Sequence, residues 1–267
     1  MIFDTHIHWD DERFDEDRDE LIAGLPAAGI GCTVNAGCSV ASTEAGVALA
    51  ARYPHVFMLA GIHPHDAAGT TDADLTRIEE LAHAEKCVGV GEIGLDRHWP
   101  DADKEAQERV FLAQLDIAKR LKMPVAIHSR DASEDTLRIM QTEGRDLGGV
   151  IHCYSYSKET AEKYLEMGYF LGIGGVITYK NGRKLAEVVE YAPIEQLVLE
   201  TDAPYLSPEP FRGKRNSSYQ LPLVVKKIAE IKGLTEREVE DITWANACRM
   251  YRLSEDASCV MRGDRTK

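Results

Sequence analysis

The chain has 267 residues, 44% apolar and 28% charged, which is the balance of an ordinary globular protein with a sizeable core. A formal net charge of −14 argues against a protein that coats nucleic acid, since phosphate neutralisation draws on Lys and Arg. It leaves room for a phosphate substrate held locally by metal ions.

Short apolar runs alternate with stretches of helical spacing. The first strand is expected within 1–10, with a helix over 16–28 stopped at Gly29. The second strand is expected over 32–36 with a helix over 42–52, and the third over 56–62 with a helix over 72–84. The fourth, over 87–90, leads through a loop to a long helix over 103–121. The fifth is expected over 124–127 with a helix over 132–143, and the sixth opens at 149–151 with a helix over 157–167. The seventh spans 169–173 with a helix over 183–191, and the eighth spans 197–199 with a helix over 221–232. A capping box, Thr235-x-x-Glu238, starts a last helix that runs to about residue 252.

Eight alternations with continuous apolar strands imply an α/β protein whose parallel sheet is covered on both faces. Closure into a (β/α)8 TIM barrel is the economical solution at this length, with a doubly wound open sheet as the runner-up. No linker, low-complexity tract or repeat divides the chain. Residues 1–253 are therefore expected to form a single hydrolase-type barrel domain and 254–267 a short polar tail that frays.

The six cysteines form no Cys-x-x-Cys pair, which argues against a disulfide framework or a zinc–cysteine module. The N-terminus has no basic region before an apolar stretch, and the weakly polar stretch over 24–42 is broken by Pro26, Asn35 and glycines. The expected compartment is the cytoplasm, with no membrane contact and a monomer favoured.

His6 and His8 lie two apart on the first strand and so project from one face, where a pair of imidazoles can grip a metal ion. The bland alternative puts one against the core and the other in a loop. Further polar residues gather at the carboxyl ends of strands, where such barrels keep their active sites. His63 and His65 follow the third strand, Glu92 the fourth, and Asp202 the eighth, while His128 ends the fifth and His152 the sixth. Gly89-x-Gly91-x-x-Gly94 fits a dinucleotide fingerprint, but no helix opens directly after it and an acid sits inside it, so cofactor binding is rejected.

Seven segments resemble the TatD-like metal-dependent deoxyribonucleases of the amidohydrolase superfamily. They are Asp4-Thr5-His6-Ile7-His8, Gly61-Ile62-His63-Pro64-His65, Gly91 to Asp96, His128-Ser129-Arg130-Asp131-Ala132, His152-Cys153-Tyr154-Ser155, Glu200 to Leu206, and Arg212 to Asn216. The resemblance implies cleavage of phosphodiester bonds in DNA, exonucleolytic in mode, with two divalent cations (Zn, Mn or Mg) bridged by Glu92. It places His6, His8 and Asp202 at the first ion and His128 and His152 at the second, with Asp202 taking the proton from the attacking water. Hydrolysis of an ester, lactone or amide, including aminoacyl-tRNA deacylation, is the alternative chemistry, and a non-catalytic metal-binding barrel the alternative class.

Arg130 and His63 are candidate phosphate contacts. Arg130 could equally form an ion pair with Asp131 or another loop acid, and His63 could simply order its loop. Arg212-Gly213-Lys214-Arg215 could steer a nucleic-acid backbone or be a solvated loop. Glu200 reads as a loop brace rather than a ligand, and His55, His83 and His98 as surface or loop residues. Two departures from the family pattern bear on substrate choice: Ser217-Ser218 follows Asn216 where Glu-Pro is usual, and Tyr156 stands where glycine is usual.

Overall fold

The computed structural model describes residues 1–254, so the expected tail lies outside the described residues except for Ser254. Eight parallel strands pair in chain order: β1 (Ile2–Ile7), β2 (Ile30–Asn35), β3 (Val56–Ala60), β4 (Cys87–Asp96), β5 (Val125–Arg130), β6 (Gly149–Ile151), β7 (Phe170–Ile173) and β8 (Leu197–Leu199). The sheet closes where β1 meets the residues after β8. Asp202 N donates to His6 O at 3.0 Å and His8 N to Ala203 O at 2.8 Å, with a parallel bridge between Ile7 and Ala203. The result is the expected (β/α)8 barrel.

Alternation along the strands fills the barrel. Phe3, Val34, Leu59, Val88, Ala126, Val150, Phe170 and Val198 belong to one interior cluster, each side chain pointing inward from its strand. Helix α9 (Glu236–Met250) contributes Ala247, Cys248 and Met250 to the same cluster, and Trp244 lies 5.4 Å from Phe3, ring to ring. Opposite faces of the strands pack against the helices, including the long α4 (Lys104–Leu121) and α8 (Leu221–Lys232), through a second, larger cluster. The expected capping box at Thr235 and Glu238 is present, with both reciprocal bonds.

Several boundaries shift; β5 runs on to Arg130, so His128 lies within it, and two further shifts have a clear cause or consequence. The helix over 16–28 is instead α1 (Arg18–Gly24) followed by a 3-10 turn, because Pro26 cannot continue the helix. The fourth strand is ten residues long rather than four, so Glu92 lies within β4 and does not follow it. Gly89, Gly91 and Gly94 are thus strand residues, and each is a glycine for packing. A Cβ on Gly91 would meet the Ala126 Cβ at 2.8 Å, and one on Gly94 (φ +148°) would lie far inside contact distance of His128 O. Between β2 and β3, the C-terminus of α2 (Val40–Arg52) is closed by the Lys86 ammonium, which donates to Ala50 O, Tyr53 O, Pro54 O and Val56 O at 2.6–3.3 Å. No helix among the described residues is long and apolar enough to cross a membrane.

Candidate metal centre

The carboxyl ends of the strands surround a cavity of about 550 Å³ lined by His8, Cys38, His63, His65, Glu92, Asp96, Trp99, His128, Arg130, His152, Asp202 and Tyr205, among others. His6 lies buried beneath it. Glu92 rises from β4 into the middle. Its Oε2 faces His6 Nε2 at 3.3 Å and His8 Nε2 at 3.6 Å. Its Oε1 faces His128 Nδ1 at 2.6 Å, His152 Nε2 at 3.6 Å and His63 Nε2 at 3.7 Å. Asp202 Oδ1 completes the ring, 3.2 Å from His8 Nε2 and 3.7 Å from His152 Nε2. All six expected ligands therefore meet, from strands far apart in sequence.

Further carboxylates back this ring. Asp96 Oδ2 lies 3.2 Å from His128 Nε2 and 3.1 Å from His65 Nε2. Glu200 Oε1 lies 3.1 Å from His152 Nδ1 and accepts from Cys153 N at 2.5 Å, in space kept open by Gly172, whose Cβ would collide with the Glu200 carboxylate. Glu200 thus holds the loop after β6 through Cys153 N, and with His152 and Cys153 it also forms a group of donor atoms within 4.8 Å of one another. Cys38 Sγ sits 3.6 Å from His8 Nδ1.

Charge balance tests whether cations fit here. Glu92, Asp96 and Glu200 are buried and Asp202 nearly so, yet among the described residues each is paired only with histidine, never with Lys or Arg. Such a concentration of buried carboxylate is expensive without compensating positive charge. Five nitrogen–oxygen separations across the ring, 3.2–3.7 Å, match two donors sharing one ion, which stand about 3.4 Å apart for ~2.1 Å bonds at tetrahedral angles, while His128 Nδ1 and Glu92 Oε1, at 2.6 Å, are in direct hydrogen-bond contact. Groups of donor atoms within 4.8 Å of one another include His6, His8 and Glu92; His6, His152 and Asp202; and His63, Glu92 and His128. The residues present fit bound metal.

Electrostatics follow from the same packing. Burial opposes ionisation of Glu92, but His63, His152 and His6 outweigh it and hold its carboxyl well below the usual range. Burial likewise opposes a charged His152, and Glu200, Glu92 and Asp202 outweigh it, pushing that imidazole up to about 9. His63 is dominated by burial and falls to about 3.

The remaining expectations sort as follows. Arg130 lines the cavity, and no carboxylate among the described residues pairs with it; Asp131 pairs instead with His98, at 2.8 Å. His63 also lines the cavity while its Nδ1 accepts from His65 N, so it orders its loop and faces the site together. The basic segment is not free. Arg215 is bound to Asp17, and the Arg212 guanidinium lies 4.3 Å above the Tyr179 ring. Tyr156 braces the loop after β5 through Ser129 Oγ and Ala132 N. His55 is a loop residue but a buried one, its Nε2 bonded to Ile22 O at 2.8 Å.

Asp96 and Trp99 were missed as site residues. Asp96 had a signal: residues 92, 94 and 96 share one face of a strand, but only if the strand extends past residue 90. Trp99 lies on the following loop, where periodicity carries no information.

A (β/α)8 barrel with imidazoles and carboxylates converging at the carboxyl ends of its strands is the architecture of a metal-dependent hydrolase. The chain belongs to the family described as TatD related DNase, whose model matches residues 3–252. It is 39% identical over 255 residues to the "Uncharacterized metal-dependent hydrolase YabD" of Bacillus subtilis (strain 168), covering 95% of this chain and 100% of that one. It is 33% identical over 258 residues to the "3'-5' ssDNA/RNA exonuclease TatD" of Salmonella typhimurium, covering 94% and 99%. The crystal structure of the TatD homologue YJJV from Escherichia coli K12 superposes with a TM-score of 0.89 at 29% identity, covering 94% of this chain and 98% of that one.

Proposed function

We propose that this chain hydrolyses phosphodiester bonds of DNA with two divalent cations, acting as an exonuclease. One observation carries the reading: the two oxygens of Glu92 address different imidazole sets, His6 and His8 on one side and His128, His152 and His63 on the other. A carboxylate so placed can serve two ions at once. His6, His8 and Asp202 would hold one, and His128 and His152 the other, with Glu92 common to both. Bound, the cations activate the attacking water and neutralise charge that develops on the phosphoryl oxygens.

The chain's own groups supply the rest. Asp202, at the rim of the ring, is the base that accepts the proton of the attacking water, on the carboxylate oxygen not facing His8; its carboxyl is held below the usual range, where burial is outweighed by His152 and His8. Arg130 offers its guanidinium to a non-bridging phosphate oxygen, and His63 a ring nitrogen. DNA as substrate is supported by the family description and by relatives that carry an exonuclease name.

The test is cleavage of a labelled DNA oligonucleotide with added Mn, Zn or Mg, with and without chelator. Wild-type protein is expected to cut only with metal, and Asp202→Asn to lose at least about a hundredfold. Equal cleavage by both proteins would point to a contaminant and remove Asp202 as the base.

A further inference from the structure

Trp99 is the largest side chain on the rim of the metal cavity, 48% exposed, on the loop between β4 and α4. His65 and His98 meet its ring edge-on at 6.1 and 5.1 Å, and the Arg130 guanidinium carbon lies 5.8 Å from its centroid. The ring is therefore held in place while much of it stays open. A second cavity of about 440 Å³ abuts the first, with Trp99 and His65 lining both. Its remaining wall includes Asp101, Asp103 and Gln107.

We propose that Trp99 is the stacking platform for an unpaired nucleobase next to the scissile phosphate, and that the adjoining cavity receives that base. The inference rests on the phosphodiesterase reading and names how its substrate is gripped. A chain of net charge −14 gains little from counterion release along a phosphate backbone, so beyond the metal centre and Arg130 its affinity for a substrate calls for another source. Stacking on an exposed indole is the general sequence-tolerant alternative. The Asp101 carboxylate repels phosphate but suits the exocyclic amino group of a base, while Asp103 Oδ1 accepts from Ala106 N as the N-cap of α4 and leaves its other oxygen to the cavity. Arg130, beside the same ring and without a carboxylate partner among the described residues, is placed for the phosphate joining that base to the metal centre. A base can reach the indole face only when it is out of a duplex, so the same residue favours single strands or frayed ends over paired termini.

The experiment uses the metal-loaded enzyme, Trp99→Ala and Trp99→Phe, on a short single-stranded oligodeoxyadenylate, whose bases carry the exocyclic amino group. Companion substrates carry an abasic tetrahydrofuran residue on one or the other side of the scissile bond. On the intact substrate Trp99→Ala is expected to raise KM roughly 10- to 100-fold with kcat little changed, and Trp99→Phe to recover most of it. An abasic residue at the stacked position should cost the wild type a similar factor and cost Trp99→Ala nothing more. Unchanged KM in Trp99→Ala, or the same loss on both abasic substrates as on the intact one, overturns the platform while leaving the nuclease intact. If the wild type cuts no DNA at all, the nuclease reading fails by itself. Binding of the same oligonucleotides to metal-loaded Asp202→Asn, with and without Trp99→Ala, then decides the platform. A base-dependent loss of affinity supports it, and equal affinity overturns it.

Discussion

Asp96 Oδ2 lies 3.2 Å from His128 Nε2, on the opposite side of the ring from Glu92 Oε1, which lies 2.6 Å from His128 Nδ1. With the proton held on Nε2 by Asp96, the lone pair of Nδ1 points into the centre. Asp96 is thus a positioning residue. Asp96→Asn is expected to keep the fold and weaken metal binding at His128 about 10- to 100-fold, read by competition with a chelator of known affinity. Unchanged affinity would show that packing alone orients His128.

Removing the shared ligand should have a different signature from removing an unshared one. Glu92→Ala is expected to lose both ions, whereas His128→Ala should keep close to one ion per chain. Elemental analysis after gel filtration measures the ratio. Two ions per chain in Glu92→Ala would end the bridging role.

Metal loading should release protons. In the metal-free centre His152 is pushed up to about 9, so near neutral pH its imidazole carries a proton that a cation must displace. A raised imidazole pKa means tighter proton binding, so competition grows as pH falls. Apparent metal affinity is expected to fall about tenfold per pH unit below that value for each proton displaced. Titration calorimetry in two buffers of different ionisation enthalpy measures the proton count, and no buffer dependence at pH 7 would contradict it.

Lys86 predicts stability instead of activity. Its ammonium closes the end of α2 through carbonyls of Ala50, Tyr53, Pro54 and Val56. Lys86→Met is expected to cost about 1.5–3 kcal/mol, because those oxygens lose a charged donor. Denaturant unfolding with chelator present checks it, with Asp202→Asn as a control that leaves this corner untouched.

The alternation of strands and helices, and the sorting of His6, His8, His128, His152, Glu92 and Asp202 to the carboxyl ends of strands, are legible in the order of residues. Both are local properties: side-chain period along a strand and the apolar face of a helix are set by residues a few positions apart. Where a local cue was weak, the boundary slipped. The end of β4 is the clearest case and conceals Asp96, whereas α1 ends just before Pro26, a strong local stop. Only the closed barrel shows which oxygen of Glu92 meets which histidine, that Asp96 backs His128 and Glu200 lies beside His152, and that among the described residues Arg215 is bound to Asp17 while no carboxylate pairs with Arg130. These are distances between residues remote in the chain, fixed only when the barrel closes and Asp202 is bonded to the backbone of His6.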